Sequence, residues 1–79
     1  MGIEYNIRCK LPEKSKAEEI LSSLHNPTDE NGWTAFNVSV EAEGYYFCDN
    51  GKSDASDRAL RQLIDAALLY SDSVTIDEP

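Results

Sequence analysis

Histidine occurs once and cysteine twice among these 79 residues, glycine only four times, and basic side chains number seven against fifteen acidic ones. Each scarcity removes a class of function. One histidine, His25, with two well-separated thiols, Cys9 and Cys48, is too little to build a four-ligand structural zinc site. A nucleophilic serine or cysteine needs a neighbouring base, and His25 is the only imidazole on offer. Glycine is too sparse for a phosphate-cradling loop. Gly51-Lys52-Ser53 lies between a strand pattern and a helix pattern, but Tyr46 stands where a P-loop requires its first glycine. The segment from Asp49 to Leu60 has the length of a calcium loop, yet Asp54 replaces its glycine and Leu60 its bidentate acid.

Long apolar runs are also missing. No stretch approaches the roughly 20 residues of a membrane span, and no basic region followed by an apolar run opens the chain. The expectation is a cytoplasmic protein without membrane attachment, its thiols reduced and serving as small buried hydrophobes. Asn37-Val38-Ser39 has the form of a glycosylation acceptor, but it falls inside a strand pattern and is read as a coincidence of composition.

The net charge is −8 and it is uneven. Residues 1–40 carry four basic and six acidic groups, a balance of −2, and residues 41–79 carry three and nine, a balance of −6. Such a field repels phosphate backbones and anionic lipid heads, which argues against nucleic acid and membrane as partners. The carboxylate pairs (Glu18 with Glu19, Glu41 with Glu43, Asp54 with Asp57) sit at helix starts, exposed faces and turns, where acids serve solvation and capping. No enzyme activity and no cofactor is expected.

What is present is a clear alternation of periods. Ile3, Tyr5, Ile7 and Cys9 share one strand face, with Glu4, Asn6, Arg8 and Lys10 on the other. Leu11-Pro12 ends that strand, and Ser15 to Glu18 matches a capping box for a helix from about Lys16 to Leu24. The breakers from His25 to Gly32 form a loop. Thr34, Phe36, Val38 and Val40 then face inward on a second strand, with Trp33, Ala35, Asn37, Ser39 and Glu41 outward. Glu41 to Gly44 reverses into a third strand. There either Tyr45 and Phe47 face the core, or Tyr46 and Cys48 do. Asp49-Asn50-Gly51 is a turn, Ser53 or Asp54 caps a second helix, and Val74 to Ile76 supplies a fourth strand.

This order predicts a single α+β domain over residues 1–79: a ferredoxin-like βαββαβ plait, with a four-stranded antiparallel sheet and two helices on one face. The strand order by analogy is 4-1-3-2. Taking the first and third strands as parallel neighbours would place Cys9 and Cys48 near one sheet end, close enough to make a disulfide conceivable. A domain of this size buries roughly 60–65% of its unfolded surface, and self-association often adds stability.

On the second helix, the apolar side chains from Ala59 to Tyr70 fill an arc of about 200°, wider than the stripe of an ordinary surface helix. Leu69 falls on the opposite side with Arg58, Gln62 and Asp65, an apolar knob in a polar rim. These four residues form the candidate interface, for a second copy or another protein. The alternative is helix–helix packing with one tolerated exposed leucine. Trp33, Tyr45 and Phe47 are the candidate aromatics of the open sheet face.

Two resemblances sharpen this. Gly44-Tyr45-Tyr46-Phe47 resembles the RNP1 segment of RNA-recognition motif domains at Gly44, Tyr45 and Phe47, which implies a plait that stacks bases on exposed aromatics. In that segment Glu43 replaces a basic residue, Tyr46 a small one and Asn50 an aromatic. A long helix carrying Leu60-Arg61, with Asp65, Ala66 and Leu68 following, is similar to the small dimerising subunit of the KEOPS tRNA-modification complex. In that family Asn-Ser stands where this chain has Asp65-Ala66, and Val74-Thr75-Ile76 is an additional strand here. That resemblance implies a non-catalytic homodimer that docks onto a catalytic partner. A small, self-associating protein-interaction module is the leading expectation, using helix two or the edge of strand two. An RNA binder and a small-molecule regulatory domain are the alternatives, the latter weakened by the absence of glycine between Leu11 and Ser15.

Overall fold

A computed structural model describes residues 2–51 and 53–79. Six elements follow one another: β1 (Ile3–Arg8), α1 (Lys14–Ser22), β2 (Phe36–Glu41), β3 (Gly44–Asp49), α2 (Asp54–Leu68) and β4 (Thr75–Asp77). The strands form one sheet in the order β2-β3-β1-β4, every neighbouring pair antiparallel. This is the α+β plait that the sequence pattern predicts.

The sheet corrects one expectation. β1 and β3 run antiparallel, with Ile7 opposite Tyr45 and Glu4 opposite Cys48. Cys9 therefore lies five residues along the chain from the level of Cys48, about 17 Å at the rise of a strand. The two residues also fall on opposite faces, and both thiols are free. Parallel neighbours are the wrong premise. In a βαββαβ chain the helix returns β2 parallel to β1, and the hairpin then reverses β3 against both.

Pairing with β1 also decides the faces of β3. Ile7 and Tyr5 face the helices, and opposed residues on antiparallel strands share a side, so Tyr45 and Phe47 face inward with them. Both are buried, as is Asp49, the next inward position. Phe47 stacks on Phe36 of β2 at a centroid distance of 5.0 Å and meets Tyr5 at 6.3 Å. Ala17 of α1, Leu24 just beyond it, and Ala59, Leu63 and Ala67 from α2 close the core above these rings. The hairpin joining β2 to β3 passes so close to β1 that a Cβ on Gly44 (φ 150°) would collide with the carbonyl of Ile7.

The helices begin differently. α1 starts earlier than the capping box predicts: Glu13 occupies the N-cap, and its carbonyl accepts from Lys16 and Ala17. Ser15 already sits inside the first turn, where its hydroxyl donates to the Glu13 carboxylate at 3.2 Å instead of capping. In α2 the Ser53 hydroxyl accepts from the Ser56 amide at 3.2 Å, and Asp54 and Asp57 lie on the positive end of the dipole. Ser56 itself is buried and donates to the Ala35 carbonyl at 2.8 Å, tying α2 to the start of β2.

The Tyr45 hydroxyl is buried without a hydrogen-bond partner among the described residues. Removing it deletes an unsatisfied polar atom and leaves the ring packing intact. Tyr45→Phe is therefore expected to leave stability unchanged or raise it by up to about 1 kcal/mol, whereas Phe47→Ala should cost about 3–5 kcal/mol. Chemical denaturation of both variants checks the contrast.

Candidate interaction surfaces

The outer surface of α2 is laid out by helical spacing. Arg58, Gln62, Asp65 and Leu69 recur at intervals of three and four and all stand exposed, on the side away from the buried Ala59, Leu63 and Ala67. Arg61 reaches Asp65 one turn on at 3.2 Å, an exposed pair of little energetic weight. Leu69 is the helix C-cap and is 79% exposed, so it takes no part in the core. The wide apolar arc is only partly covered. Its central residues are buried, while Leu68 and Tyr70 remain 48% and 37% exposed, and Ile76 of β4 is 45% exposed.

The open sheet face is polar and internally bonded. Arg8 donates to Glu43 and to Asp77, each at 3.0 Å, and so ties the hairpin to β4 across β1. The Tyr46 hydroxyl donates to Glu4 at 2.6 Å. Asn50 donates to the Asn37 side chain at 2.8 Å and to the Thr34 carbonyl at 3.0 Å, while Cys48 donates weakly to the Asn50 side-chain oxygen at 3.5 Å. Cys48 thus lies among polar groups on the open face rather than in the core, because it alternates with Phe47. Cys9 is half-buried and packs against the core, where burial pushes its thiol above the ordinary value and away from reactivity.

Of the three candidate open-face aromatics, Tyr45 and Phe47 are turned into the core, 1% and 0% exposed. The aromatic positions shared with RNP1 therefore offer no stacking surface. Tyr46, between them, is the ring on that face. Trp33 is exposed, 67% of its surface facing solvent, but it sits in the loop before β2. That loop is well bonded. One Asp29 carboxylate oxygen accepts from the amides of Asn31 and Trp33, and the Asp29 amide donates to the Trp33 carbonyl at 2.8 Å. Gly32 supplies the left-handed turn between them at φ 86°.

Beside Trp33 an open concavity of about 740 Å³ is lined by Pro27, Ala35, Asn50, Ser53 and Ala55, among others. No sequence motif announces it, since its walls come from separate segments of the chain. Its polar groups are already engaged: Asp29 with its own loop, Ser53 with Ser56 and Asn50 with Asn37. Lys52, of the Gly51-Lys52-Ser53 turn, lies outside the described residues. Among the described residues no three His, Cys, Asp or Glu side chains gather to hold a metal ion, and no helix is long and apolar enough to cross a membrane.

Two outcomes are expected from these surfaces. Leu69→Asp should change the stability of the monomer by less than about 1 kcal/mol, because an exposed leucine contributes little to its own fold. Unfolding of that variant in a denaturant titration would place Leu69 in the core. The second concerns alkali. The hydrogen bond to Glu4, aided by desolvation and by Cys48, holds the Tyr46 hydroxyl protonated well above its ordinary value of 10.0. The unfolded chain then ionises first, so this contribution is complete below about pH 10 and is lost as the pH rises through the folded-state value. Melting temperatures measured from pH 8 upward should fall less steeply in Tyr46→Phe than in the wild type.

No family model matches the chain, and no curated protein or solved structure matches it either.

Proposed function

We propose that this protein is a small non-catalytic protein-interaction module that self-associates. The observation that carries the reading is the placement of exposed apolar surface. Of the five large apolar side chains that stand exposed among the described residues, Leu68, Leu69, Tyr70 and Ile76 fall within the last turn of α2 and the segment through β4. Apolar groups are concentrated in one stretch of chain, and Leu69 among them is bordered by Arg58, Gln62 and Asp65, the composition of a contact patch. Several ionisable groups of the open face are committed to structural pairs, Arg8 with Glu43 and Asp77, and Tyr46 with Glu4. They form no desolvated pair of carboxylates and no nucleophile with its base. The resemblance to the small dimerising KEOPS subunit supports the same class of role, with this chain binding to a larger protein.

Sedimentation equilibrium at micromolar concentration should return about twice the 8.8 kDa chain mass, as for the common two-fold oligomer. A single-chain mass maintained into the millimolar range would remove self-association from the proposal.

A further inference from the structure

The free edge of β2 is set up to pair with itself. β2 ends the sheet, and its hydrogen-bonding pattern shows which of its backbone groups point outward. The Asn50 amide donates to the Ala35 carbonyl at 3.0 Å, so that level is bonded to β3. Alternation along an antiparallel pair then bonds Asn37, Ser39 and Glu41 to β3 and turns the amides and carbonyls of Phe36, Val38 and Val40 away from it. The outward groups at Phe36 are taken. Asn26 accepts from the Phe36 amide at 3.2 Å and donates to its carbonyl at 2.8 Å, standing where the next strand would begin. The backbone groups of Val38 and Val40 face outward with no such partner among the described residues. The Glu41-to-Gly44 reversal ends the edge on the other side.

We infer that two copies of this chain join by antiparallel pairing of their β2 edges about a two-fold axis at Ser39, with Val38 of one copy opposite Val40 of the other. The inference rests on the self-association proposed above but assigns it to the β2 edge, so that the apolar end of α2 serves the other part of that proposal, contact with a different protein. One feature selects this register and two more favour it. It bonds all four outward groups of each copy, whereas centring on Val38 would need the Phe36 groups that Asn26 already holds. It keeps the helix layers of the two sheets on one side, so the half-buried Val38 and Val40 pack against their counterparts and lose water. It also places each Glu41 opposite Asn37 of the other copy rather than opposite its own counterpart, and so avoids a like-charge contact in a chain of net charge −8. Beyond the Phe36 level that Asn26 covers, the edge from Asn37 to Val40 carries no lysine, no proline and no inward charge. An isologous contact of this kind leaves the α2 surface free for a different protein.

Val38→Pro tests the edge directly. The amide of Val38 points outward, so proline removes no bond to β3, and edge strands tolerate proline at such positions. The variant is expected to fold and to raise the dimer dissociation constant at least tenfold. Ser39→Cys gives an independent reading. Residues at the axis form a non-bonded pair with Cα atoms about 4.5 Å apart, within disulfide range. Mild oxidation should therefore yield a covalent dimer, with peptide mass mapping placing the bridge between the two thiols introduced at position 39. Asn37→Cys, displaced along the strand from its counterpart and made together with Cys48→Ser because Cys48 lies opposite it in the same chain, should not bridge two copies. Should Val38→Pro fail to fold, the cross-link pattern decides alone. Persistence of the dimer in Val38→Pro together with its loss in Leu69→Asp would overturn the edge and leave self-association standing. Equal bridging at positions 37 and 39 would also overturn the edge, and a wild-type monomer would overturn both proposals.

Discussion

Antiparallel pairing of β1 with β3 over six residues is the constraint from which the other features follow. β1 is the strand whose two faces differ most clearly, apolar at Tyr5 and Ile7 and polar at Glu4, Asn6 and Arg8. Because opposed residues share a side, β3 inherits that division, and β2 inherits it in turn through β3. A slip of one residue would bring Tyr46 and Cys48 under the helices and expel Phe47 from its stack with Phe36. Gly44 holds the register at the hairpin end, where only a residue without a side chain fits against Ile7. The burial of Phe47, the isolation of the two thiols and the polarity of the open face are consequences of one pairing.

Much of this architecture is legible in the residue order. Element order and the inward faces of β1 and β2 follow from periods of two and of three to four residues, and the sheet order follows by analogy with the plait. Local chemistry is less legible. The faces of β3 cannot be read from Tyr45-Tyr46-Phe47-Cys48, since both alternations are apolar and the one buried inside continues to a carboxylate, Asp49. Ser15 and Glu18 have the spacing of a capping box, but Glu13 directly after Pro12 starts the helix before Ser15 can serve. Among the candidate surface residues, Arg58, Gln62, Asp65 and Leu69 do stand exposed, because a single helix face is a local property. Tyr45 and Phe47 do not, because their exposure depends on a strand about forty residues away in the chain. The concavity beside Trp33 and the outward groups of β2 have no sequence signature, being products of tertiary assembly.

The two faces of the domain use polar groups in different ways. On the open side the hydrogen-bonding side chains reach across to other strands, so the face acts as a brace: Arg8 spans three segments, and Tyr46 and Asn50 join neighbouring ones. On the helix side polar atoms are few, and the buried Ser56 is bound to the Ala35 carbonyl. The contact surfaces proposed above, the end of α2 and the outer edge of β2, lie where the brace does not reach.

Asn50 stands at one end of that brace, and its neighbour in the chain is Gly51. Asparagine followed by glycine is the pair in which the next backbone nitrogen most readily attacks the side-chain amide, since glycine has no side chain to obstruct the approach. That attack expels ammonia and closes a succinimide ring, and water then opens the ring to leave a carboxylate in place of the amide donor. At this position the new oxygen would face the Asn37 side-chain oxygen and the Thr34 carbonyl, both of which now accept from Asn50. Two attractive contacts from the end of β3, one to β2 and one to the loop entering it, would become repulsive. Ageing at Asn50 would therefore loosen the very contacts that now restrain its amide.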